Sequence, residues 1–95
     1  MDKPLVQEID YFLAHLLRER RLSKHTLSAY KRDLDQASHF FEQNEIRDWS
    51  VVDSNHIRRF LAELKRQSLS SRSIQRVLSS LRSFYNFLLR EGLVE

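Results

Sequence analysis

The amino-acid sequence predicts an all-α fold, a compact four-helix bundle, and three observations carry that prediction. The 95 residues include one Gly and one Pro, too few turn residues for an architecture that reverses every few residues, as β-sheets do. Four segments repeat apolar residues at the helical period. Ser or Asp stands where three of those segments begin, the residue types that cap a helix N-terminus.

The first segment predicts a helix over residues 4–21. Pro4 suits its first turn, Leu5, Ile9, Phe12, Leu13, Leu16 and Leu17 form its apolar stripe, and the Arg18-Glu19-Arg20-Arg21 ending suits the negative pole of the helix dipole. The second, over 24–43, turns Leu27, Tyr30, Leu34, Ala37 and Phe41 inward. Residues 44–52 lose the period and read as a loop whose Trp49 packs over the bundle. Asp53 or Ser54 caps a third helix, 54–67, with Ile57, Phe60, Leu61 and Leu64 as a narrow stripe. The fourth helix, 71–91, gathers Ile74, Val77, Leu78, Leu81, Phe84, Tyr85, Leu88 and Leu89 within less than half of the helical wheel. Arg72, Gln75, Arg76, Ser79, Ser83, Asn86 and Arg90 fall opposite, and Gly92 stands where a glycine stops a helix. The chain ends at Leu93-Val94-Glu95, directly after its longest helix, which reads as one domain cut at its C-terminal side from something larger.

Composition narrows the class. Leu, Ile, Val and Phe make up roughly a third of the chain and the net charge is +3, outside the range of disordered proteins. The absence of Cys excludes a disulfide framework or a Cys-based zinc site. The first four residues lack a signal-peptide pattern, and no apolar run approaches the roughly 18 residues that span a bilayer. The expectation is a soluble, cytoplasmic domain without a membrane partner.

Charge is unevenly distributed. No acid occurs between Leu64 and Arg90, while Lys65, Arg66, Arg72, Arg76, Arg82 and Arg90 are basic. A second basic stretch runs from Arg18 to Arg32 with Glu19 as its one acid, whereas Asp33, Asp35, Glu42, Glu45, Asp48 and Asp53 concentrate beyond it. Two helix starts echo each other. Leu22-Ser23-Lys24-His25-Thr26-Leu27 and Leu69-Ser70-Ser71-Arg72-Ser73-Ile74 share the order Leu-Ser-x-basic-hydroxyl-aliphatic. Most soluble helices place Asp or Glu in the first turn; these two offer hydroxyls and cations, as an end completed by an external phosphate would. Beyond the second start, Gln75, Ser79, Ser83 and Asn86 lie among arginines, a mixture suited to base edges and phosphates together.

Other chemistry finds no footing. His15, His25, His39 and His56 lack the spacing of a helical metal site, and no Gly-rich loop exists to cradle a nucleotide. The serines at 68, 70, 71 and 73 read as caps and backbone contacts, not as nucleophiles. No catalytic residue, cofactor or metal is expected. A rival reading, a basic helical adaptor that docks an acidic protein, shares the same composition.

Residues 22–34, Leu-Ser-Lys-His-Thr-Leu-Ser-Ala-Tyr-Lys-Arg-Asp-Leu, and residues 70–88, from Ser70-Ser71-Arg72-Ser73 to Phe87-Leu88, resemble the N-terminal core-binding domain of the tyrosine recombinases, most closely the Xer type. The resemblance implies a SAM-like orthogonal four-helix bundle forming half of a clamp around double-stranded DNA, with its second and fourth helices at the major groove. The implied contacts are Lys24, His25, Thr26, Ser28, Lys31 and Arg32 from the second helix, with Ser70, Ser71, Arg72, Ser73, Gln75, Arg76, Ser79 and Arg82 from the fourth. It implies catalytic Arg, Lys, His and Tyr in a separate domain, a 3′-phosphotyrosyl intermediate, XerD-like partner subunits in a DNA-bound tetramer, and regulation by an FtsK-like translocase. The first helix, with Tyr11, is the expected contact to a neighbouring subunit.

Overall fold

A computed structural model of the chain describes residues 5–94. Among these, α1 spans Val6–Glu19, α2 Lys24–Gln43, α3 Ser54–Arg66 and α4 Ser71–Arg90, and a short 3-10 turn, Trp49–Val51, joins α2 to α3. Pro4, expected in the first turn of α1, lies outside the described residues. The extents are 36 × 33 × 20 Å, so the molecule is two helix diameters of about 10 Å thick and every helix keeps one face in water.

The apolar stripes meet in one core. Ile9, Phe12 and Leu16 of α1, Leu34, Ala37 and Phe41 of α2, Phe60 and Leu64 of α3, and Val77, Phe84 and Leu88 of α4 are almost free of solvent. Trp49 lies deeper than a lid over the bundle: it is fully buried, its indole edge-on to Phe84 with ring centroids 4.8 Å apart. Its Nε1 donates to the Leu5 carbonyl at 2.9 Å, and the Tyr85 hydroxyl donates to the Trp49 carbonyl at 2.7 Å. The 3-10 turn thereby ties the start of α1 to the second half of α4, each buried polar group finding a partner. Burial raises the Tyr85 hydroxyl far above the usual phenol range.

Two stripe positions differ from the sequence expectation. Leu17 and Leu89 are 57% and 53% exposed, while Phe87 and Ser80 are buried. On α4 the buried arc is rotated toward α1 and α2, because Phe87 packs against Phe12 and Ser80 donates to buried Asp33. Leu89 is carried out to the edge by the same rotation.

The helix ends explain how a chain with one glycine turns so sharply. At the end of α4, Leu93 N–H donates to Leu88 O and Gly92 N–H to Leu89 O, with Gly92 at φ 71°, the Schellman arrangement. The same pair of bonds closes α2 through Ile46 and Glu45, and α3 through Leu69 and Ser68. Glu45 and Ser68 adopt φ 64° and 65° there, left-handed geometry that is unfavourable for residues with a Cβ. α1 stops at Glu19, shorter than expected, because Arg21 takes φ 49° and redirects the chain.

Candidate nucleic-acid interface

The two echoed helix starts fold as hydroxyl caps. Ser23 Oγ accepts from Thr26 N–H and pairs with the Thr26 hydroxyl at 3.0 Å. Ser70 Oγ accepts from Ser73 N–H and donates to the Ser73 hydroxyl at 3.1 Å. Each cap satisfies the third N–H of its helix, and the Ser23 and Ser70 carbonyls accept the fourth. The Lys24 and His25 N–H groups of α2, and the Ser71 and Arg72 N–H groups of α4, therefore face solvent at the positive pole. Helix α3 differs. Asp53 caps it through His56 N–H, and Asp53 N–H donates to His56 Nδ1, so a histidine closes the box usually closed by Glu or Gln. The backbone hydrogen bond from His56 holds the Asp53 carboxyl below its ordinary range, keeping that pole neutralised from within.

α4 begins beside the second half of α2, where Gln36 Nε2 donates to Gln67 Oε1, and passes Asp33 at Arg76 and Ser80. It finishes near the start of α2, since Ser83, Asn86 and Arg90 share a pocket with Arg20. The two N-termini therefore lie at opposite ends of the α2/α4 contact. Between them runs a seam. Residues spaced i, i+4, i+7 and i+11 share one face, which puts His25, Ala29, Arg32 and Gln36 on the α2 side of the seam and Arg72, Arg76, Ser79 and Ser83 on the α4 side. Gln75 and Arg82 lie further around α4. Lys24, Ser28 and Lys31 lie on the opposite flank of α2, toward α1: Lys31 pairs with Asp35 at 2.9 Å and feels Asp10, and both raise its pKa. Of the candidate contacts, Ser73 is half-buried and the other thirteen are exposed.

One residue proves more than a surface contact. Arg76 donates through Nε and Nη2 to both carboxylate oxygens of Asp33, at 3.2 and 3.0 Å. Ser80 Oγ donates to the same carboxylate at 2.9 Å. The Arg76 side chain is 46% exposed and that of Asp33 only 1%, so Asp33 does not belong to an exposed acidic end. It lies beneath the basic seam, and its hydrogen bond raises the Arg76 pKa. Arg76 is thus half-neutralised and fixed in direction. Arg32 and Arg72 make no side-chain ion pair among the described residues. Sequence reasoning missed the Asp33–Arg76 link because the partners are 43 positions apart. The signal that could have found it was an Asp on the apolar side of α2, next to Leu34.

Among the described residues no three His, Cys, Asp or Glu side chains cluster to hold a metal ion. No helix among them is long and apolar enough to cross a membrane.

Four helices in this order, without strands among the described residues, define a SAM-like all-α domain. Residues 9–92 match the family model described as "Phage integrase, N-terminal SAM-like domain", and the chain belongs to that family. Its relatives include the tyrosine recombinase XerC of Azotobacter vinelandii, 47% identical over 85 residues, covering 90% of this chain and 28% of that protein. XerC of a Pseudomonas fluorescens strain is 45% identical over 87 residues, 92% of this chain and 29% of that protein. XerC of Pseudomonas aeruginosa is 45% identical over 85 residues, 90% and 28%. The chain spans less than a third of the length of these relatives. No solved structure matches.

Proposed function

We propose that this chain is the DNA-gripping half-clamp of a site-specific tyrosine recombinase. The observation that carries the reading is the α2/α4 seam: two hydroxyl-capped poles without a carboxylate, joined by Arg32, Arg72 and the short polar groups of α4. Placed at opposite ends of the seam, the two poles can reach phosphates of different strands. The poles then meet phosphates on the two rims while Arg76, Ser79 and Gln75 stand over the base edges between them. Asp33 holds Arg76 in a fixed direction, which lowers the ordering entropy of a contact. The other candidates divide by position: Ser70, Ser71, Ser73 and Thr26 work at the poles, Arg82 reaches one rim, His25 and Arg32 line the α2 side of the seam, and Lys24, Ser28 and Lys31 extend the opposite, basic flank of α2.

In the full-length protein the family resemblance assigns strand cleavage through a 3′-phosphotyrosyl intermediate to residues of another domain. No position in this chain inherits those roles. Its partners there are duplex DNA, XerD-like subunits in a tetramer and an FtsK-like translocase, acting together to resolve chromosome dimers. The test is charge neutralisation. Arg72→Gln and Arg32→Gln should each weaken duplex binding several-fold, while Arg58→Gln on α3 leaves it unchanged. Equal effects from all three would remove the seam from the account.

A further inference from the structure

A pocket of about 120 Å³ opens between the last turn of α1 and the second half of α4. Its wall carries Arg20, Arg90, His15, Ser83 and Asn86 over an apolar floor that includes Phe12. No carboxylate among the described residues lines it. Arginine can only donate, so in the 3.4 Å contact with Arg90 Nη2 it is His15 Nε2 that accepts. His15 is also braced by Phe87, ring centroids 5.1 Å apart. The side chains of Arg20, Ser83 and Asn86 make no hydrogen bond or ion pair among the described residues, and Arg90 spends one N–H on the long contact to His15.

We infer that this pocket is a binding site for a tetrahedral oxyanion, a phosphate group. Two guanidiniums converge there without the counter-ion that accompanies Arg76 and Arg66 elsewhere in the molecule. A phosphate supplies that missing charge, and guanidinium forks match its oxygens two at a time. Ser83 and Asn86 add neutral donors, while the apolar floor limits competing water. A water needs about 10–15 Å³ of such space, so a pocket of about 120 Å³ has room for a phosphate group. The occupant is either a backbone phosphate of bound duplex or a free phosphate. The duplex case rests on the function proposed above, with the pocket extending the footprint past the end of the seam near α2.

The experiment has two arms. In the first, the 95-residue chain is titrated with inorganic phosphate at constant ionic strength, with chloride as control, while backbone amides and arginine Nε–H groups are followed by NMR. The expected result is saturable shifts confined to His15, Arg20, Ser83, Asn86 and Arg90, absent with chloride, and an affinity about tenfold weaker in Arg90→Gln. Arg58→Gln should bind phosphate as the parent does. Shifts that fail to saturate, or that spread evenly over all basic residues, overturn the inference. In the second arm, the salt dependence of duplex binding is compared for the parent and Arg90→Gln. A slope shallower by about 0.9 shows that the pocket holds a duplex phosphate. An unchanged slope alongside specific phosphate binding assigns the site to a free anion. A chain that binds phosphate at the pocket but no duplex refutes the half-clamp and leaves the site standing. Thermal melts of each variant establish that exposed Arg90 is dispensable for folding.

Discussion

Replacing Arg76 with Ala should damage the fold more than a half-exposed surface arginine ordinarily would. The substitution leaves the Asp33 carboxylate, 1% exposed, with only the Ser80 hydroxyl as a partner. Stranding one member of a buried pair costs about 3–5 kcal/mol, and because nearly half of the Arg76 side chain is already in water the lower value, about 3 kcal/mol, applies here. For a domain of this size that corresponds to a drop of about 12–24 °C in melting temperature, followed by circular dichroism. The sign of the second step is more diagnostic. Asp33→Asn destabilises the parent by breaking the fork, but on the Arg76→Ala background it removes the stranded charge while Ser80 can still donate to the amide oxygen. The double variant should therefore melt above Arg76→Ala. A single variant within a few degrees of the parent, or a double variant no more stable than the single, would refute the reasoning. DNA measurements on Arg76→Ala must be made well below its lowered melting point, or lost fold will be read as lost recognition.

Two further outcomes follow from the helix ends and the ion pairs. Glu45→Gly and Ser68→Gly should each stabilise the domain by up to about 1 kcal/mol in urea titrations, since both parent residues hold left-handed backbone that glycine adopts without strain. Acid should weaken the domain. Hydrogen bonds from Arg66 and Gln67 hold the Glu63 carboxyl down to about 2, from an ordinary 4.5, and Asp53 is lowered by its cap. Both groups bind protons more readily unfolded than folded, so their contribution is full above the unfolded pKa and fades as pH falls through the folded one. A stability profile flat from pH 5 to about 2 would contradict this assignment.

Features confined to four or five neighbouring residues were legible in the sequence. The caps at Ser23 and Ser70, the α3 cap narrowed to Asp53 or Ser54, and the stop at Gly92 are local hydrogen-bond problems with few solutions. The apolar stripes located the core, but not the rotation of each helix within it. On α4 apolar residues flank the stripe on both sides, and only contact with Phe12 and Asp33 selects Phe87 and Ser80 over Leu89. Tertiary pairs were invisible for the same reason. Asp33 reads as one more acid until Arg76 is placed against it, and Arg20 and Arg90, 70 positions apart in the chain, become neighbours only when α1 and α4 pack. The left-handed residues at Glu45 and Ser68 were hidden because neither is a glycine. Of the candidate contacts, Lys24, Ser28 and Lys31 were those periodicity could have moved aside, since they share the flank of α2 that faces away from the seam, where Lys31 pairs with Asp35.

The central claim is electrostatic and is tested most directly by the salt dependence of duplex binding. Lys24, Arg32, Arg72 and Arg82 carry no ion pair among the described residues; with one phosphate each, log affinity should fall against log salt with a slope of about −3.6. Lys31 and Arg76, already matched by Asp35 and Asp33, add little. A slope near zero, or binding unaffected when Arg32 and Arg72 are neutralised together, would contradict the account and favour an adaptor that docks protein.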